Sequence, residues 1–128
     1  MFRKMTAAAV AVLVLSQLAM AQPRATISGS WEGSWTNSRG SQGEDWLDVV
    51  EEPSGRIYGT WGEVEIEGTR QGLGRYVWQG SNKGRSYRAT AQVGRGGRAL
   101  RVDYEVTYRR QGELRTYGGQ SHLRRVGY

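Results

Sequence analysis

Hydrophobic and polar positions alternate through most of this chain, and the clearest case is Leu100 to Arg109. There Leu100, Val102, Tyr104, Val106 and Tyr108 fall on one face, and Arg101, Asp103, Glu105, Thr107 and Arg109 fall on the other. A repeat of two is the period of a β-strand with one buried and one solvated face. Seven further segments follow the same pattern more loosely: Ser30–Asn37, Asp45–Glu51, Arg56–Trp61, Val64–Arg70, Arg75–Gln79, Arg85–Val93 and Arg115–Arg124. Between them lie Pro53-Ser54-Gly55, Gln71-Gly72-Leu73-Gly74, Gly80 to Gly84, Gly94-Arg95-Gly96-Gly97 and Gln111-Gly112, all rich in residues that accept tight reversal or positive φ. No segment after residue 21 keeps a 3.6-residue apolar period over three turns, so no substantial helix is expected.

Eight sequential strands on short turns leave two unpaired edges unless the sheet closes on itself. The expectation is an all-β protein, an antiparallel up-and-down eight-stranded β-barrel. Such a barrel has a narrow interior, filled by side chains or holding one small ligand. Alternation points Trp31, Gly33, Trp35 and Asn37 inward, with Ile57, Gly59 and Trp61, with Tyr87, Ala89 and Ala91, and with Tyr117, Gly119, Ser121 and Leu123.

The first 21 residues read differently. Arg3 and Lys4 precede an apolar run from Ala7 to Leu15, and the stretch ends in Ala19-Met20-Ala21. This is the form of a cleaved signal peptide, which makes 22–128 the mature single domain and the protein an exported one, periplasmic or secreted. No later segment is apolar enough to span a bilayer as a helix. An outer-membrane barrel needs strands of ~9 to 11 residues with a continuous apolar outer face, and several segments here fall short of that.

The chain has no cysteine, so neither disulfides nor thiol chemistry enter; five Trp and seven Tyr supply the bulk for a core instead. Charge is divided along the sequence. Residues 22–70 hold four basic side chains against nine acidic ones, and residues 71–128 hold twelve against three. An acidic half facing a basic half can pair across a sheet, which explains the division without a nucleic-acid partner, and none is expected.

Catalytic and metal sites find little to build on, and neither cofactor nor metal is expected. His122 is the only histidine and falls on the outward face beside Leu123. Zinc needs several spaced nitrogen, sulfur or oxygen ligands. Glu63, Glu65 and Glu67 alternate with Val64 and Ile66, which reads as a solvated face. The carboxylates Glu44, Asp45, Asp48, Glu51 and Glu52 are not flanked as buried acids would be, and Gly94 to Arg98 lacks the strand-to-helix setting of a phosphate loop. The expectation is a protein without enzymatic activity.

Asn37 stands apart because the period of two that turns Trp31 and Trp35 inward turns it inward as well. A buried asparagine must find partners, and a ligand carbonyl or ureido group is one source. The other is its own loop backbone, since Ser38-Arg39-Gly40-Ser41 follows directly.

Gly33-Ser34-Trp35-Thr36-Asn37 with Gly40-Ser41, followed by Ser54-Gly55-Arg56-Ile57-Tyr58-Gly59-Thr60-Trp61, resembles the first and third strands of the avidin and streptavidin family, a family of eight-stranded biotin-binding barrels. The resemblance implies that Asn37 and Ser41 stand where side chains bond a ureido oxygen, that Trp61 replaces a family tyrosine, and that Trp35 sits at the barrel floor. The segment Tyr117 to Leu123 carries neither the tryptophans nor the aspartate that complete the family's site, so biotin itself is not the expected ligand. The expected function is an avidin-like or lipocalin-like small-molecule binding module, with a site at Trp35, Asn37, Ser41, Trp61 and Trp78. The alternative is a filled barrel that binds a protein or polyanion through its charged faces.

Overall fold

The alternation closes into the ring that edge pairing demands. The computed structural model describes residues 26–128, so the expected signal peptide and the first residues after it lie outside the described residues. Eight strands follow in order: β1 (Gly29–Asn37), β2 (Gln42–Glu51), β3 (Arg56–Trp61), β4 (Val64–Gly72), β5 (Arg75–Asn82), β6 (Arg85–Val93), β7 (Ala99–Arg110) and β8 (Glu113–Gly127). Each pairs antiparallel with its sequence neighbour, and β8 returns to β1, giving a closed up-and-down barrel. One short 3-10 turn at Arg95–Gly97 is the sole helical element among the described residues. None of the helices described is long and apolar enough to cross a membrane.

Several strands run further than alternation alone indicates. The expected Gly80 to Gly84 loop shrinks to Lys83-Gly84, both at positive φ (53° and 77°), so β5 continues to Asn82. Gln111-Gly112 is built the same way, with φ of 54° and 81°, and β7 and β8 lengthen to meet it. Two residues at positive φ make the turn whose twist matches that of the flanking strands, so pairing proceeds up to the turn itself.

Closure of the ring brings backbones close where the wall bends. A Cβ on Gly33 would run into the main-chain carbonyl of His122 on β8. Glycine at that inward position lets β1 lie against β8 at the seam.

The interior is divided into a sealed end and an open end. At the sealed end Ile27 folds beneath the barrel and is fully buried, and the Trp31 indole N–H donates to its carbonyl at 2.9 Å. Arg125 straps this plug in place: its guanidinium donates to the carbonyls of Ser28, Thr26 (2.6 Å) and Gly97 (2.9 Å) and lies 4.3 Å from the Trp31 ring centroid. Desolvation by burial lowers its pKa from the ordinary arginine value. Glu51 collects the remaining donors, the Tyr76 hydroxyl at 2.6 Å and the Thr26 hydroxyl at 2.9 Å, and Arg70 approaches its other oxygen at 3.4 Å. Above this floor Leu47, Val49, Ile57, Ile66, Trp78, Ala89, Ala91, Leu100 and Val102 pack as a solid core. The outer wall is largely polar, with Glu65, Glu67, Arg88, Arg101, Glu105, His122 and Arg124 all exposed, and is interrupted by the exposed Trp46, Val50 and Tyr58 of β2 and β3.

Two carboxylates thus depart from the expectation that none in the β2 segment is buried. Asp45 and Glu51 share the inward face with Leu47 and Val49, and the Glu51 side chain is only 8% exposed. Removing it by Glu51→Ala leaves the Arg70 cation and the Tyr76 and Thr26 hydroxyls without their shared acceptor. We expect a loss of ~3 kcal/mol in urea denaturation, against ~0.5 kcal/mol or less for Glu67→Ala on the outer wall; equal losses would show that Glu51 does not hold the plug.

Candidate functional site

The open end is where β1 and β2, β3 and β4, β5 and β6, and β7 and β8 are joined by turns, and a cavity of about 560 Å3 opens between them. Its lower wall is aromatic. The Trp61 ring lies in edge contact with Trp78 (5.6 Å between centroids), Tyr87 (5.9 Å) and Tyr104 (5.4 Å). T-shaped pairs at these separations set positive ring edges on negative faces and fix all four rings relative to one another.

Asp45 is the polar centre of this wall. It is 8% exposed and points inward from β2. Its Oδ2 accepts from the Trp61 indole N–H at 2.9 Å and from the Ser121 hydroxyl at 2.5 Å, while Oδ1 accepts from the Trp46 amide at 2.9 Å. The carboxylate therefore ties β2 to β3 and, across the barrel seam, to β8. Three donors compensate much of the cost of taking it out of water. Lys and Arg side chains lie beyond ion-pair distance of it among the described residues.

Tyr104 closes the opposite side. Its ring rests over Gly119, where any Cβ would strike the phenol, and its hydroxyl reaches across β8 to donate to the Thr36 carbonyl of β1 at 3.0 Å. Burial first, then the negative charge of Asp45 and the phenols of Tyr117 and Tyr87, push its pKa from 10.0 up to about 12. At the mouth, Arg85 donates to the Tyr117 hydroxyl at 3.2 Å. Arg39, from the loop after β1, lies 5.0 Å from the Tyr117 ring and 5.9 Å from that of Tyr108. These cation–π contacts and the Ser38 N–H to Gly118 carbonyl bond (2.9 Å) hold the loop against β8.

The five residues expected at the site divide. Trp35, Asn37 and Trp61 line the cavity; Ser41 is exposed in the loop and does not; Trp78 is wholly buried below Trp61. Trp35 stands near the mouth, packed over Gly43 of β2, and the floor position belongs to Trp31 and Ile27. The Asn37 carbonyl is taken by its own loop, accepting from the amides of Arg39 (2.9 Å) and Ser41 (3.0 Å), as turn asparagines do. The Trp78 indole N–H, fully buried, has no acceptor among the described residues. Asp45, Ser121, Tyr87 and Tyr104 also line the cavity, with Glu44, Glu63, Lys83 and Arg85 among the charged residues of its wall. The signal for the first four was the alternation itself, which sets Asp45 in phase with Leu47 and Val49.

The phenol at 104 gives a pH dependence with a definite sign. The unfolded chain releases that proton near 10.0 and the folded chain only near 12, so stability present below pH 10 is lost as pH rises through this interval. Thermal unfolding between pH 9 and 12 should fall more gently for Tyr104→Phe than for the wild type; parallel declines would remove Tyr104 as a source. Trp61→Phe withdraws one donor from Asp45 and should cost ~1–3 kcal/mol in urea denaturation.

Comparison by sequence finds no matching family model and no matching curated protein. Comparison by fold finds the crystal structure of a rhizavidin–biotin complex, at a TM-score of 0.54 and 16% sequence identity. The match covers 79% of this chain and 96% of that one. Likeness to an avidin therefore runs through most of the barrel and is not confined to the N-terminal strands. At this identity the shared property is architecture, and the chain is an avidin-like, closed, eight-stranded antiparallel barrel.

Proposed function

We propose that this protein is an exported, non-catalytic binding module that takes a small molecule into the open end of its barrel. The observation that carries this reading is the division of the interior: one end is plugged and strapped, while the other holds a cavity of about 560 Å3 with a fixed aromatic wall and one buried acceptor. Pockets of a few hundred Å3, apolar but for a few placed polar groups, are the usual form of small-molecule sites. The avidin-like fold adds support, since the matched structure is a complex with biotin. The non-catalytic reading is supported by the position of His122, exposed on the outer wall and away from the cavity. Charges on that wall are in part engaged with one another, Arg101 with Asp103 at 3.3 Å and Arg56 with Glu52 at 3.4 Å, which favours the cavity over a polyanion-binding face. The apolar leader at residues 7–15 is the basis for export.

Tryptophan fluorescence titrated with a metabolite panel tests this. A ligand seated at the open end should quench with saturation, and its apparent affinity should fall at least tenfold in Trp35→Ala while staying unchanged in Tyr58→Ala on the outer wall. No saturable quenching with any compound, or equal loss in both variants, would count against the cavity as a binding site.

A further inference from the structure

We propose that the cavity selects a compact organic cation bearing N–H donors, such as an amidinium, a guanidinium or a primary ammonium group, with Asp45 as its counter-charge. This rests on the cavity being a binding site. Asp45 is the one carboxylate set deep in that cavity, and its three contacts are all hydrogen-bond donors without a full positive charge. Indole, hydroxyl and amide donors satisfy hydrogen-bonding capacity but leave a net negative charge in a poorly solvated place. An ionised carboxylate offers about four acceptor directions; Oδ2 already accepts two donors and Oδ1 one, so Oδ1 keeps room for a further donor.

The charged groups of the rim do not supply the missing cation. Lys83 is 3.7 Å from Glu63, and Arg85 is bonded to the Tyr117 hydroxyl and lies 5.5 Å from the Tyr108 ring. Three carboxylates (Glu44, Asp45, Glu63) and two cations (Lys83, Arg85) line the cavity, and the third cation of the mouth, Arg39, lies over the Tyr117 and Tyr108 rings.

The walls suit the same class of ligand. Trp61, Tyr87 and Tyr104 surround the carboxylate side of the cavity with π systems, whose faces attract a cation more strongly once water is displaced. A neutral ureido or amide ligand would satisfy the hydrogen bonds and leave the charge unmatched. An anionic ligand would add to it.

Benzamidine and benzamide test this, because they share a shape and differ in charge. Isothermal titration calorimetry on the wild type should give benzamidine at least a tenfold tighter Kd, and Asp45→Asn should bring the two to near equality. Because Asp45 is buried, the variant's folding is checked by circular dichroism. If it fails to fold, NMR of the wild type decides: benzamidine should move the Trp61 indole N–H resonance, whose proton is bonded to Asp45, more than the outer-wall amides. Equal or tighter binding of benzamide, preference retained in a folded Asp45→Asn, an unmoved Trp61 indole, or no binding of either probe would each overturn the cation. Should the fluorescence panel then find a neutral or anionic ligand at the open end, the binding module stands and only the cation falls. A panel without any ligand removes both.

Discussion

Closure of β1 onto β8 is the constraint from which the rest of this structure follows. An open eight-stranded sheet would offer two rows of unpaired amides and carbonyls, and closure removes both. It also creates an inside. Once the ring is shut, a residue's place in the period of two decides whether it joins the core, the cavity wall or the solvent. The bends needed to shut it fall on glycines at inward positions, and Gly33 shows the reason most plainly, since the carbonyl of His122 occupies the space a side chain would need. Tyr104 uses the vacancy over Gly119 to reach the Thr36 carbonyl, spanning β8 from β7 to β1.

Both buried carboxylates lie on β2, one toward each end, and they do opposite work. Glu51 at the sealed end is met by a cation, Arg70, by the Thr26 hydroxyl of the plug and by the Tyr76 hydroxyl of β5. Its charge is spent within the fold. Asp45 near the open end is met by neutral donors only, from β2, β3 and β8. Burial of an ion is tolerated when it is paired and fully bonded, and by that measure Glu51 is matched in charge while Asp45 has three neutral donors, one acceptor direction left and no cation. The proposed ligand would supply to Asp45 the cation that Arg70 already supplies to Glu51.

Much of the architecture was legible in the chain because barrels are written in two simple signals, a period of two and the residues of tight turns. Leu100 to Arg109 shows the first, and Lys83-Gly84 and Gln111-Gly112 show the second once their positive φ is known. Strand ends were harder to place, because glycine and serine inside a strand look like turn residues until the partner strand is present. Gly80 and Ser81 belong to β5 for that reason. The site was less legible. Asp45 sits among Glu44, Asp48, Glu51 and Glu52, and a run of acids reads as surface unless phase is followed residue by residue through Leu47 and Val49. Resemblance drew attention to Asn37 and Ser41, yet the Asn37 carbonyl is used by its own loop and Ser41 is exposed there, outside the cavity lining. Local hydrogen bonding within a turn is available at once, whereas a buried partner must be supplied by other strands.

The aromatic wall bears on how such a cavity stays open. A narrow barrel lined by large side chains could collapse inward and fill itself. Here Trp61 is held from two sides, by its N–H on Asp45 and by edge contacts to Trp78, Tyr87 and Tyr104, while Tyr104 is anchored by its hydroxyl on β1. Rings pinned at their polar tips cannot swing into the space without giving up a hydrogen bond, the buried one from Trp61 to Asp45 above all. Asp45 therefore both lines the cavity and helps to hold the ring that could otherwise fill it. A ligand that meets Asp45 would enter a space already shaped, and so would lose less in ordering the protein than one that had to push the rings apart.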